Sequence, residues 1–371
     1  MSLDRTPISD FFIAPRKNWK PLNSVQIAGL QAFKQMVETG ELEYESIVCP
    51  CCSGTSYRLL SQADKYGLDQ DVVICKECGF VYNNPRLTEK SYAKFYDTVY
   101  RQIYMGYERP ADEHFQEQYE GRGKRYARYI QGQLNYDYSG KFVVEIGCGP
   151  GGILHRFREL GADVLGFDYD SRYVEFGRQK YDLNLVVGDY QTYDFKSSPD
   201  IVILGHVLEH LVDYKPKLKS IRGTMAKGDS VLLIEVPSLF GRRLGWLLQM
   251  AHVNYFTPNT LAYSLQSLGF EVRVLDTASY PTNILCLAGL PTDISMKPIS
   301  LDSEYSQVLS FLTEREKAGL GSLDYYVRYR WYYPLVQYGS LLVKAVQNPK
   351  NAMSKLLSIF RAQADDLRPR G

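Results

Sequence analysis

The sequence predicts an α/β protein built on a parallel sheet, with a small Cys-rich module ahead of the sheet and a helical extension behind it. Three observations carry that prediction. Between residues 140 and 290, short apolar runs alternate with helical stretches, the pattern of strands joined by crossover helices. Upstream lie two Cys-x-x-Cys pairs, Cys49/Cys52 and Cys75/Cys78. Downstream, residues 304–371 repeat Tyr and Leu at helical spacing and end in Arg-Pro-Arg-Gly.

Taken in order, residues 1–46 read as a helical arm. Val25, Ile27, Leu30, Phe33 and Met36 approximate one helix face. Residues 47–86 are the Cys-rich module, with Val72-Val73-Ile74 as a strand entering the second Cys pair. Residues 87–139 form a Tyr-rich helical linker in which Tyr92, Phe95, Tyr96, Val99, Tyr100, Ile103 and Tyr104 recur at three- and four-residue steps. The α/β domain occupies 140–290. Its expected strands are 142–146, 164–168, 185–187, 201–204, 230–235, 271–275 and 284–290. Thr260 through Leu268 reads as a helix ended by Gly269. Residues 239–250 read as a helix-like insertion, and 291–371 as a linker plus helical extension.

Composition narrows the partners. The chain has 371 residues, with 43 Lys+Arg against 42 Asp+Glu, a net charge of +1. Near-neutral charge gives no long-range attraction to nucleic acid or anionic membrane. The 30 Tyr residues are suited to lining a pocket or interface with a flat face and a polar tip. There is neither a long apolar span nor a secretory signal pattern, so the expected compartment is the cytoplasm. Seven clustered Cys without an export signal point to reduced thiols and a metal.

Two Cys-x-x-Cys knuckles place four thiolates around one ion, with Zn–S distances of ~2.3 Å. Cys49, Cys52, Cys75 and Cys78 are therefore the expected ligands of a structural zinc in a zinc ribbon. Cys51 is a competing ligand by position, but the i, i+3 spacing favours Cys52. The basic residues Arg58, Lys65, Lys76 and Arg86 are scattered among acids, a weak basis for nucleic-acid binding.

The richest signal is Val143-Val144-Glu145-Ile146-Gly147-Cys148-Gly149-Pro150-Gly151-Gly152. An apolar strand runs into Glu-x-Gly-x-Gly-x-Gly and then a helix. Glycines let the backbone turn tightly and approach a ligand at the helix N-terminus. The spacing differs from the Gly-x-Gly-x-x-Gly of dinucleotide sites, and Glu145 would repel a pyrophosphate. Asp168 closes the next strand about twenty residues on, where a ribose partner belongs. Asp189 closes the third strand, and Gly205-His206 the fourth.

These ordered motifs resemble the class I S-adenosylmethionine-dependent methyltransferases, whose Rossmann-like sheet they imply over roughly 140–290. The resemblance implies S-adenosyl-L-methionine as methyl donor. It implies binding by Glu145, Gly147, Gly149, Gly151, Asp168, Asp189, Gly205 and His206. Glu145 would meet the cationic methionyl part, Asp168 the ribose and Asp189 the adenine amino group.

His206-Val207-Leu208-Glu209-His210 also matches a zinc-peptidase pattern. Its place directly after the fourth strand, and the lack of a distal Glu ligand, argue against a peptidase. On the acceptor side, His252 and Tyr255 fall in a short segment after the fifth strand, above the strand ends where α/β proteins bind ligands. An imidazole there suits a general base. His252, His210 and Tyr255 are the expected catalytic residues.

The order of zinc ribbon, Asn83-Asn84-Pro85-Arg86, Tyr-rich helix, glycine loop and His252-x-x-Tyr255-Phe256-Thr257 resembles the zinc-ribbon sugar C-methyltransferases over roughly 47–290. That resemblance implies a sugar or nucleotide-sugar acceptor, served by His252 and His210. The chain departs from that pattern at Ala251, where a Glu is expected, and in a helical 291–371 where a second α/β domain is expected. The expected activity is methyl transfer to carbon or oxygen of a sugar, nucleotide sugar or glycan, in polysaccharide biosynthesis. The alternatives are a nucleic-acid methyltransferase that reads through the ribbon and a non-catalytic donor-binding scaffold.

Overall fold

A computed structural model describes residues 22–106, 110–225, 228, 230–241, 247–291 and 298–321. The first helix, α1 (Ser24–Glu38), opens with a reciprocal cap between Asn23 and Gln26 and buries Gly29, Phe33 and Met36. Val25 and Ile27, expected on the buried face, are exposed. The buried stripe is narrower than the sequence pattern suggested. After β1 (Tyr44–Glu45), strands β2 (Tyr57–Ala63), β3 (Asp69–Cys75) and β4 (Val81–Asn83) form an antiparallel sheet, with β3 running into the second Cys pair. β5 (Arg86–Leu87) pairs with β1. The Tyr-rich segment is helical: α2 (Glu89–Thr98), α3 (Tyr100–Tyr104), α4 (Ala111–Glu117), a π-helical turn Gln118–Gly123, and α5 (Lys124–Leu134).

The large sheet follows. It uses β6 (Phe142–Ile146), β7 (Asp163–Asp168), β8 (Leu185–Val187), β9 (Ile201–Gly205), β10 (Val231–Pro237), β12 (Glu271–Asp276) and β13 (Asn283–Gly289). Each lies within two residues of its expected span. The helices between them are α6 (Gly152–Glu159), α7 (Ser171–Tyr181), α8 (Tyr214–Thr224) and α9 (Pro258–Ser267). Strand order is β12-β13-β10-β9-β6-β7-β8, and β13 runs antiparallel to both neighbours. From β6 the chain winds outward through β7 to β8, then returns to place β9 on the other side of β6. That reversal opens a crevice at the carboxyl ends of β6 and β9, where doubly wound sheets bind ligands. Alternate residues of β6 serve opposite faces, as strand geometry requires: Val144 and Ile146 join one core, Val143 the other.

The Cys module is not a detached appendage. Strand β11 (Asn254–Tyr255) adds to its sheet beside β4, pairing Asn254 with Tyr82 and Tyr255 with Val81. The core containing Phe80 and Tyr82 continues through Leu261 and Leu265 of α9 to Leu204 and Ile234 of the large sheet. Residues through Gln307 form one compact unit and those from Val308 another. Helix α10 (Glu304–Gly321) falls within the stretch read as a helical extension. The rest of the C-terminal extension, part of the 239–250 insertion and residues 1–21 of the N-terminal arm lie outside the described residues. Among the described residues, no helix is long and apolar enough to cross a membrane.

Candidate active site

The glycine loop sits at the end of β6. Gly147, Gly149 and Gly151 have φ of 73°, 54° and 84°. At Gly149 a Cβ would lie 3.2 Å from both His114 and Gln118, so the left-handed turn and the close packing each call for glycine. Its amide donates to Asp168 Oδ2 at 2.8 Å, and Asp168 Oδ1 accepts from the Asp170 amide at 2.8 Å. Burial pushes the Asp168 carboxyl up to about 6 despite these backbone bonds. Gln118, in the π-helical turn, clamps the loop from above. Its amide nitrogen donates to the Cys148 carbonyl at 3.0 Å, and its oxygen accepts from the Gly152 amide at 2.9 Å. Neither the turn nor Gln118 had a signature in the sequence.

Glu145 is 1% exposed, and its Oε2 has no hydrogen-bond partner. Burial drives its carboxyl far above the usual range, opposed by Arg122 and reinforced by Asp168. A buried acid with an unpaired oxygen calls for a cationic or donating ligand group. The methionyl ammonium of S-adenosylmethionine is such a group, and the glycine loop beside it offers close backbone approach. The residues present fit that donor. Asp189 is otherwise engaged: it caps a short turn at the Gln191 amide and accepts from Tyr169 Oη at 3.0 Å and Lys217 Nζ at 3.3 Å.

A cavity of about 480 Å³ is lined by Glu117, Gly121, Arg122, Arg125, His206 and Asn283. Arg122 donates to the Gly205 carbonyl at 3.2 Å, tying the π-helical turn to the end of β9. His206 follows immediately, with φ of 60°, a left-handed conformation unusual for a residue with a Cβ. Its Nδ1 lies 3.3 Å from Glu209 Oε1, and its Nε2 lies 3.8 Å from Glu235 Oε1. The segment is therefore not the α-helix a zinc peptidase needs. A short 3₁₀ turn, Leu208–His210, takes its place.

Glu235, at the end of β10, is fully buried. It accepts from Arg125 and from Tyr126 Oη, and from Asn283 Nδ2 at 2.6 Å. Sequence reasoning passed over it. An acid inside the apolar run Val231–Val236 was the available signal, since a lone charge in a buried strand needs partners.

The expected catalytic residues lie deeper. His252 is 7% exposed and Tyr255 3%. Nδ1 of His252 donates to the Leu247 carbonyl at 3.0 Å, and its Nε2 meets the Gln249 side-chain amide. Burial and the neighbouring His210 push its imidazole well below the usual range. Tyr255 donates to the Gln249 carbonyl at 3.4 Å. His210 packs against His252 with ring centroids 4.9 Å apart. Glu209, between the three imidazoles, is buried, which disfavours its charge. The His206 hydrogen bond and the surrounding imidazoles outweigh that and hold it down to about 2.

In the Cys module, the four sulfurs of Cys49, Cys52, Cys75 and Cys78 lie within 4.8 Å of one another. Cys49–Cys78 and Cys52–Cys75 are each 3.6 Å apart. The edge of a tetrahedron with ~2.3 Å Zn–S bonds is about 3.8 Å, so the set fits zinc. Cys51 points instead to Ser264 Oγ, 3.8 Å away.

The family described as "Methyltransferase domain" matches residues 115–275. Those residues are similar to a methyltransferase domain. The matched stretch runs from α4 into β12 and contains the glycine loop, Glu235 and all three clustered histidines. Over 152 residues the chain is 26% identical to a ubiquinone biosynthesis O-methyltransferase of Rhodopseudomonas palustris (strain BisB5), covering 36% of this chain and 60% of that protein. The chain thus spans about 60% of the length of that relative. Solved structures similar to the methyltransferase domain include an S-adenosylmethionine-dependent methyltransferase from Mesorhizobium loti. It is 15% identical, with a TM-score of 0.37, over 46% of this chain and 98% of that one. The magnesium protoporphyrin IX methyltransferase of Synechocystis PCC 6803, with bound SAH, is 16% identical, with a TM-score of 0.40, over 50% and 90%.

Proposed function

We propose that this protein transfers the methyl group of S-adenosylmethionine to a sugar, nucleotide sugar or glycan, at oxygen or carbon, in polysaccharide biosynthesis. The observation that carries the donor is the unpartnered, buried Glu145 Oε2 beneath the glycine loop. The cavity at His206 favours a polyhydroxylated acceptor. Its wall includes hydrogen-bonding groups of Glu117, Arg122, Arg125, His206 and Asn283. Near-neutral net charge supports a small acceptor over nucleic acid.

When bound, the donor supplies a methyl group on a positively charged sulfur. The chain's part is to hold the acceptor and remove its proton. We assign the base to His206 rather than to the more deeply buried His252. Glu209, as a carboxylate, accepts from Nδ1 and so leaves the Nε2 lone pair of His206 available at the cavity. Nε2 takes the acceptor proton, and the resulting imidazolium lies between the carboxylates of Glu209 and Glu235. That arrangement follows the oriented-base logic of hydrolase triads. Glu209 and Glu235 are positioning residues in this scheme. In the Cys module, Cys49, Cys52, Cys75 and Cys78 would hold a zinc ion closed to substrate, with a structural role. The module supports the domain by pairing β4 with β11, next to His252.

Incubation with methyl-labelled S-adenosylmethionine and a panel of nucleotide sugars, free glycans and RNA tests the acceptor. Label in a sugar supports the proposal, and label in RNA alone overturns it.

A further inference from the structure

Three side chains that the chain draws from two separate segments share a chemistry not used by the scheme above. Glu209 and His210 come from the 3₁₀ turn after β9, and His252 comes from the segment leading into β11. One ligand-capable atom from each lies within 4.8 Å of the others. Both imidazoles are set in the tautomer a metal requires. Nδ1 of His210 lies 2.8 Å from the Ala251 carbonyl, and Nδ1 of His252 lies 3.0 Å from the Leu247 carbonyl. A carbonyl can only accept, so both Nδ1 atoms carry the proton and both Nε2 atoms present lone pairs. Metal-bound histidines show this same anchoring of the remote ring nitrogen to a carbonyl.

The carboxylate supplies an independent observation. Glu209 is 1% exposed, its Oε1 faces His206, and its Oε2 has no hydrogen-bond partner. A fully buried carboxylate oxygen left unpaired, beside two imidazole lone pairs, is a costly arrangement without a cation.

We propose that Glu209, His210 and His252 form a second metal site, separate from the four cysteines, that binds a divalent first-row transition ion such as Zn²⁺. Two imidazoles and one carboxylate make the donor set of an open zinc site, with a fourth position left for water or another oxygen ligand. His210 retains 22% side-chain exposure, which gives the ion an entry path. The Gln249 amide now rests on His252 Nε2 and moves aside on coordination. The His-x-x-Glu-His reading of the sequence had paired His206 with His210. The fold breaks that pair and brings in His252 from 42 residues beyond His210. The site stands whether or not a sugar is the acceptor.

The test is metal stoichiometry on the full chain. Protein is equilibrated with Zn²⁺, freed of loosely bound ion by gel filtration and analysed for zinc. Two equivalents per chain are expected for wild type and one for His210→Ala and His252→Ala. Co²⁺-loaded protein keeps the readout valid if a variant folds poorly. The thiolate-to-cobalt band reports an intact cysteine site in every variant. The weaker visible bands of a nitrogen and oxygen site should vanish only in the histidine variants. A single equivalent in wild type, or two equivalents persisting in both histidine variants, overturns the proposal. Neither outcome bears on methyl transfer, which the labelled-donor assay reads separately.

Discussion

His206 Nδ1 stands 3.3 Å from Glu209 Oε1, and this contact places the imidazole that lines the cavity in a defined tautomer. His206 is held there at a cost in backbone strain, φ 60°, by its amide bond to the Glu235 carbonyl at 2.8 Å. If His206 is the base, His206→Ala lowers single-turnover methylation by about 10²–10⁴-fold with donor affinity nearly unchanged. His252→Ala, which removes a side chain facing away from solvent, acts mainly on stability. Rates and donor titrations on both variants separate the two, and a larger rate loss in His252→Ala would return the base to that residue.

Gly149→Val forces a β-branched side chain into a left-handed turn and against His114 and Gln118. Donor binding should be abolished while the sheet survives, because the loop lies beyond the end of β6. Calorimetry with S-adenosylhomocysteine alongside circular dichroism checks both halves.

Donor affinity should depend on pH through Asp168, whose carboxyl is raised from 3.8 to about 6 by burial. On the proposal that the ionised form accepts the ribose hydroxyl, affinity is full above pH 6 and falls by up to about tenfold per unit below it. The free protein responds in the opposite sense. A raised acid binds its proton more tightly folded than unfolded, so this group alone adds stability as pH falls from 6 toward 3.8. Titrations between pH 5 and 8 should show the loss of affinity, and Asp168→Asn should flatten it.

Glu235→Ala leaves Arg125, Tyr126 Oη and Asn283 without their shared acceptor. Breaking a buried ion pair from one side costs about 3 kcal/mol. Urea unfolding of Glu235→Ala measures it. Glu235→Asp, which keeps the charge, should recover part.

The sheet was legible because every strand carries an apolar run bounded by a glycine, an acid or a helix, and such runs are local. The glycine loop was legible for the same reason: Gly147, Gly149 and Gly151 answer a conformational demand that can be read residue by residue. The acceptor side was not. His206, Glu209 and Glu235 meet through the parallel pairing of β9 with β10, where Gly205 lies beside Glu235. His252 reaches Glu209 because β11 joins the Cys module's sheet, with Asn83 Nδ2 donating to the His252 carbonyl at 2.8 Å. Spacing along the chain carries no trace of either contact. Arg86 shows the same limit. In the sequence it looks like a scattered surface charge, but the fold buries it between Glu45 and Asp213, each 2.9 Å away.

The central claim is that Glu145 and the glycine loop hold S-adenosylmethionine. Titrating the wild-type protein and Glu145→Gln with S-adenosylhomocysteine in a calorimeter tests it most directly. The account predicts saturable one-to-one binding in the wild type, weakened at least about tenfold when the carboxylate is replaced, the scale of one charge-assisted hydrogen bond. No saturable binding in the wild type, or equal affinity in both, contradicts it.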